Sequence, residues 1–360
     1  MRSIRYVGGI VTVACVMALS MTGPVADTFA AGADPSDEPA SRLERLRAKG
    51  REAIHALRDK RMAKEDRLRE FKNIIVPDKE DFDELFHIFK DRDEDDDVRW
   101  AALRHQPLDE NLIAAELDVL RDVRNGSARF HAKLLSDLGG RARLQHHSRI
   151  FQNVMQTARG LLRDEREEVR QAAFRFLTPM QDPTSTQLVI DGLRNPRQAL
   201  IPSSQAIELL HVAGAAKRAA GVIGSYLDDP DAIVRAKAAL AAAIDPGSRP
   251  KIVRLLKDRR QPDEVRLAAL RGLSGSDPAF PSYALEIMKD AAEEDDIRKA
   301  AINRFVGFMN YHTVSKNHHI EFRKVIREIA VKEGTGPGTL GEVAQQVSSY
   351  IQRNFPTISE

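Results

Sequence analysis

Cysteine is nearly missing from this chain. The single residue of that type, Cys15, lies inside an apolar run from Tyr6 to Met21, so no intramolecular disulfide is available and the fold must be held by packing. Aromatic residues make up only 6%, with Trp100 the lone tryptophan, which leaves the core to aliphatic side chains. Charge of one sign is also lacking: 55 Lys and Arg stand against 53 Asp and Glu, a formal net of +2. Such near-neutrality argues against nucleic acid as a partner. Nor is there a G-x-S-x-G nucleophile elbow, an H-E-x-x-H helix or a P-loop. The expectation is a non-enzymatic chain with no catalytic residues, no cofactor, no resident metal and no small-molecule substrate.

What is present begins with a leader. Arg2 and Arg5 precede the apolar run, and Thr28-Phe29-Ala30 or Ala31-Gly32-Ala33 supplies a small-residue cleavage site, so residues 1–33 read as a secretory signal peptide and the mature protein as periplasmic or secreted. Retention as an anchor is the alternative, because the run falls slightly short of the roughly 20 residues that span a bilayer. Thr12-Val13-Ala14-Cys15 is a poor match to a lipidation box, since the apolar run continues past the cysteine. Cleavage removes Arg2, Arg5 and Asp27 and leaves a formal charge of +1.

Beyond the leader, Val-Arg-x-x-Ala recurs. Intact copies are Val98, Arg99 and Ala102; Val169, Arg170 and Ala173; Val234, Arg235 and Ala238; Val265, Arg266 and Ala269; a variant is Ile297, Arg298 and Ala301. Degenerate units at Ala128, Arg129 and Ala132 and at Pro202, Ala206 and Leu210 fill the gaps, giving starts at 98, 128, 169, 202, 234, 265 and 297. A period near thirty-two marks a solenoid of stacked supersecondary units. In the unit from Leu227, Asp228 and Asp229 precede Pro230 as helix-start signals, and Val234, Ala238 and Ala242 share one face. Asp245-Pro246-Gly247 then breaks the chain before a second helix bearing Ile252, Val253, Leu255 and Leu256. Each repeat is predicted to be a helical hairpin, and the fold an all-α, right-handed α-solenoid with helical caps.

These copies, each with acidic residues ahead of the Val or Ile, resemble the HEAT-repeat family, in particular the short HEAT-like units of the phycobilisome-lyase type, over residues 77–310. The resemblance implies that each Val-Arg helix lies on the convex side. It also implies that the second helices, near Gln187–Arg194, Arg218–Leu227, Lys251–Lys257 and Tyr283–Lys289, line a concave side. The recurring arginines read as structural, pairing with carboxylates of their own or the next unit while their stems cover apolar surface.

Flanking the repeats, residues 34–76 form a polar linker and a basic amphipathic helix, and residues 311–360 form C-terminal capping helices. Residues 42–72 carry a net +6 and residues 77–97 a net −8, so antiparallel packing of the two would be attractive. The basic segment is predicted to cap the stack, with an anionic membrane as its alternative partner. Gly139 to Arg149 reads as an inserted loop, and its Arg141, Arg143, His146, His147 and Arg149 are candidate contacts for an acidic partner. Lys251, Arg254 and Lys257 are the candidates on a second helix.

Several suggestive patterns fail on inspection. His146 and His147 point about 100° apart on a helix and make a poor metal pair. His312, His318 and His319 lack a carboxylate or cysteine at metal-ligand spacing. Asp91 to Asp97 starts like a calcium loop but has Asp96 and Ala102 where glycine and glutamate are required. Gly336, Gly338 and Gly341 spell G-x-G-x-x-G after a helical stretch rather than a strand. The leading expectation is an exported scaffold that binds another protein in the cell envelope. Behind it stand a peripheral membrane protein that binds through its basic segments and, third, an enzyme of the HEAT-like lyase or glycosylase type.

Overall fold

The computed structural model describes residues 39–107, 109–142, 149–334 and 336–355; the leader with Cys15 and the residues Arg143, His146 and His147 lie outside them. Among the described residues the chain forms eighteen α-helices and no strand. They divide into two compact units that meet in sequence at residues 108 and 109.

The first unit contains α1 (Pro39–Arg58), α2 (Lys64–Glu70, continued by a 3-10 turn Phe71–Asn73), α3 (Lys79–Lys90) and α4 (Asp96–Arg104). Ile54 and Leu57 of α1, Phe71, Leu85 and Phe89 of α3, and Val98 and Ala102 of α4 form its core. α3 opens with a capping box, in which Asp78 accepts from the Asp81 amide at 3.1 Å and Asp81 accepts from the Asp78 amide at 3.0 Å. The basic and acidic segments face each other through Arg58–Glu84 at 2.5 Å, Lys60–Asp91 at 2.9 Å and Lys64–Asp97 at 3.4 Å. The acidic run is thereby committed to structure: Asp95 caps α4 through the Asp97 amide at 2.9 Å, and Glu94 is buried against Arg67.

The second unit runs from α5 (Glu110–Arg121) through α6 (Ala128–Ala142), α7 (Arg149–Gly160), α8 (Glu167–Leu177), α9 (Pro183–Arg194) and α10 (Ser203–Val212). It continues with α11 (Ala220–Ser225), α12 (Ala232–Ala242), α13 (Arg249–Lys257), α14 (Asp263–Ser276) and α15 (Phe280–Lys289), and ends with α16 (Asp295–Tyr311), α17 (Lys316–Lys332) and α18 (Leu340–Asn354). The first helices of successive hairpins lie side by side in two runs, α6 on α8, and α10, α12, α14 and α16 in order. The Val, Ile and Ala residues of all five copies are buried, and Ala102, Ala173, Ala238, Ala269 and Ala301 are each 0% exposed. Their small size lets neighbouring backbones approach closely. The last helix begins where Thr339 accepts from the Glu342 amide at 3.2 Å; Gly336 and Gly338 lie in the connection before it and Gly341 in its first turn. The unit at Leu227 starts two residues later than its proline suggests, because Asp231 rather than Asp228 or Asp229 is the N-cap, accepting from Ile233 at 2.8 Å.

The repeat arginines have a common task. Arg99, Arg266 and Arg298 each donate through Nε to a carbonyl ten residues earlier: Phe89 at 2.9 Å, Leu256 at 3.0 Å and Met288 at 3.3 Å. Each acceptor is the penultimate residue of the preceding second helix. The guanidinium satisfies a helix-end carbonyl that has no intrahelical donor and places positive charge at the negative end of the dipole. Arg170 and Arg235 instead reach the loop carbonyls of Asp164 at 2.7 Å and Asp229 at 2.6 Å.

Two further positions share this arrangement. Arg67, thirty-two residues before Arg99, donates to the Leu57 carbonyl at 2.8 Å, so the pattern starts one unit before residue 77. His131, thirty-two residues after Arg99, is fully buried and directs Nε2 at the Val119 carbonyl at 2.9 Å. The degenerate unit is therefore read in register as Phe130, His131 and Leu134, all buried, not as Ala128, Arg129 and Ala132. Arg129 is exposed.

Candidate functional site

Five of the eight basic candidates lie among the described residues, and three of these, Arg141, Lys251 and Lys257, are engaged within the protein. Gly139 to Ala142 belong to α6 and Arg149 opens α7, so the expected loop is helical at both ends. The two glycines look like a helix breaker. In fact a Cβ on Gly139 would meet the Phe176 ring of α8 at 2.6 Å, and glycine serves close helix approach here. Arg141 lies on that helix and binds two carboxylates, Glu116 of α5 and Asp137 at 2.8 Å. Glu116 is 0% exposed, and its Oε2 and the Arg141 Nε are buried without a partner. Burial raises the Glu116 carboxyl to about 7, with Arg141 opposing and Asp137 adding to the shift.

On the second-helix side, Lys251 pairs with Asp228, and Lys257 pairs with Glu286 at 2.6 Å and lies over the Tyr283 ring. Arg259–Asp290 and Lys289–Glu321 continue these links between repeats. Such pairs join neighbouring hairpins, each contributing roughly 0 to 1 kcal/mol; of the three candidates Arg254, which is exposed, has no ion pair among the described residues.

A different surface is open. A groove of about 910 Å³ crosses the C-terminal parts of α10, α12, α14 and α16. It arises from helix length: α12, α14 and α16 begin in step, at residues 232, 263 and 295, but have 11, 14 and 17 residues. At about 1.5 Å per residue, α16 outruns α12 by roughly 9 Å, and its final turns form a wall. Gly272 makes the floor possible, because a Cβ there would meet the Ala239 carbonyl at 2.8 Å and Ala243 Cβ at 2.9 Å. Gly275 and Gly307 face open space instead.

The chemistry of this groove is cationic and apolar. Its lining includes His211, Arg271, Arg304 and His312 and contains no aspartate or glutamate. Among the described residues neither Arg271 nor Arg304 has a carboxylate within ion-pair distance. Burial, then the charge of Arg271, lowers Arg304 below the usual guanidinium range, and the same two causes lower His211. Ile244 and Tyr311, 45% and 86% exposed, contribute apolar surface at the groove. Phe308 beside them stacks on His312 at 4.3 Å. The sequence holds a faint signal of this site: Arg271 and Arg304 have no acidic residue three or four positions away, unlike Arg121 and Arg194, which pair with Asp118 and Asp191 one turn earlier.

No family model matches the chain, and no curated protein matches it significantly. Among solved structures it is similar to an archaeal HEAT-like repeats protein from Thermococcus onnurineus NA1, at 13% identity over 69% of this chain and 99% of that one, with a TM-score of 0.35. It is also similar to an engineered protein, at 13% identity over 84% and 99%, TM-score 0.36. Human deoxyhypusine hydroxylase in complex with glycerol is a further neighbour, at 15% identity over 76% and 100%, TM-score 0.30. At TM-scores this low the likenesses carry no weight of their own, and the helical-hairpin repeat stands on the buried register of the chain itself.

Proposed function

We propose that the protein is an exported, non-enzymatic scaffold of HEAT-like helical hairpins that binds another protein in the cell envelope. The observation that carries this reading is the groove across α10, α12, α14 and α16, where two arginines without counterions adjoin exposed Ile244 and Tyr311. Among the described residues the buried guanidiniums of Arg67, Arg99, Arg266 and Arg298 each meet a carboxylate, whereas the exposed Arg271 and Arg304 hold none. A site that leaves them open beside apolar surface is built to be completed by something else.

Export rests on the leader sequence. N-terminal sequencing of the mature protein is expected to begin between Ala31 and Asp34, and retention of Met1 would remove this part of the proposal. The membrane alternative is weakened by the engagement of Arg51, Arg58, Lys60, Lys64 and Arg67 with carboxylates of α3 and its flanks, which leaves the basic segment fewer cations for a lipid surface. Binding is tested by affinity capture from envelope extracts, with wild-type protein and R271Q/R304Q as paired baits. A partner retained by the first and depleted with the second is expected; equal retention would move the contact elsewhere.

A further inference from the structure

We infer that the groove across α10, α12, α14 and α16 binds an extended acidic polypeptide segment, with two carboxylates two residues apart that meet Arg271 and Arg304 and an aliphatic or aromatic side chain beside them that meets Ile244 and Tyr311. This rests on the scaffold reading above and narrows it to one occupant.

The dimensions favour an extended chain. The lining runs from His211 on α10 to His312 just past α16, with α12 and α14 between them. Three steps between packed helices, at about 8–10 Å each, give a length near 25–30 Å. An extended segment of about eight or nine residues covers that distance at about 3.3 Å per residue. Gly275 and Gly307 carry no side chain and face open space in the groove, so a peptide backbone can approach closely there.

The charge pattern selects the side chains. Arg271 and Arg304 sit on successive first helices, one helix step apart. Carboxylates at i and i+2 of an extended chain lie on one face about 7 Å apart, and the reach of two long arginine side chains covers the remainder of one helix step. Guanidinium forks take carboxylates two-handed, and the absence of any acidic lining residue leaves them no internal competitor. Ile244 stands at the end of α12, and Tyr311 and Phe308 on the α16 wall, so the apolar side chains flank the acidic pair. A single-stranded nucleic acid would satisfy the arginines, but Tyr311 and Phe308 stand on one wall only and provide no series of stacking platforms along the groove.

The test uses the mature full chain and a bead library of randomised peptides about nine residues long. Wild-type protein is expected to enrich sequences with paired Asp or Glu two residues apart next to Leu, Ile, Phe or Tyr. The best of these, labelled with fluorescein, should bind about tenfold or more weakly to R271Q/R304Q, with the difference shrinking as salt is raised. Gly307→Leu places a side chain in the open floor and should weaken binding comparably while leaving the circular dichroism spectrum unchanged. Enrichment without acidic residues, equal binding by the variants, or tighter binding of an oligothymidylate than of any enriched peptide would overturn the inference. Failure of the scaffold reading looks different: wild-type protein would then retain no envelope protein at all. An envelope partner retained equally by wild type and Gly307→Leu would refute the peptide groove and leave the scaffold standing.

Discussion

Glu116→Gln is expected to stabilise this protein at alkaline pH. Glu116 is completely buried between α5 and α6, one of its oxygens has no partner, and Arg141 alone among nearby groups offers it positive charge. Desolvation outweighs that attraction and raises the carboxyl from 4.5 to about 7. A raised carboxyl takes up a proton more readily in the folded protein than in the unfolded chain, so its contribution to stability is complete below the unfolded value and is lost as pH climbs through the window from 4.5 to about 7. At about 1.4 kcal/mol per pH unit the loss amounts to roughly 3 kcal/mol. Glutamine cannot ionise, and its side-chain oxygen can still accept from Arg141, which also keeps Asp137 at 2.8 Å. Urea unfolding of both proteins at pH 5 and pH 8 reads the effect as a difference, which cancels the other titrating groups. The variant should match wild type near the lower pH and exceed it by up to about 3 kcal/mol at the higher one. A variant less stable than wild type at pH 8 would refute the reasoning and show that the Arg141 ion pair outweighs the burial of the charge.

Other expectations follow from the packing. Arg266→Met should cost about 3–5 kcal/mol, because it strands the buried Glu293 carboxylate and the Leu256 carbonyl; adding Glu293→Met should restore much of the loss in denaturant midpoint. Ala269→Leu should cost about 1–3 kcal/mol by overpacking a fully buried contact, and an unchanged midpoint would disprove the register. Gly272→Ala and Gly307→Ala should have opposite signs in thermal unfolding. The first drives a methyl into the Ala239 carbonyl, whereas the second meets nothing and gains about 0.5–1 kcal/mol of helix propensity.

The repeat was legible wherever Val or Ile and Ala flanked its arginine, because those small and branched side chains mark a close helix contact without any knowledge of the neighbours. It was illegible at Arg67, where Asp66 and Glu70 hold the flanking places, and shifted at His131, where an imidazole replaces the guanidinium yet still meets the preceding helix end. Arg141 was misplaced because the long step from the start at 128 to the start at 169 put an inserted loop at Gly139 to Arg149, while the role of Gly139 lies in a Phe176 ring that is distant in sequence. Lys251 and Lys257 stood out as basic residues, but the acids that occupy them, Asp228 and Glu286, lie 23 and 29 residues away. The groove itself depends on unequal helix ends brought side by side, and no local pattern encodes that.

The most direct test of the account is site-specific photo-crosslinking in the cells that make the protein. A photoreactive residue replaces either Ser274, which lines the groove, or Arg254, which is exposed on the second-helix side. The account predicts a discrete envelope-protein adduct from position 274 and none from position 254. An adduct from position 254 with none from 274 would contradict it.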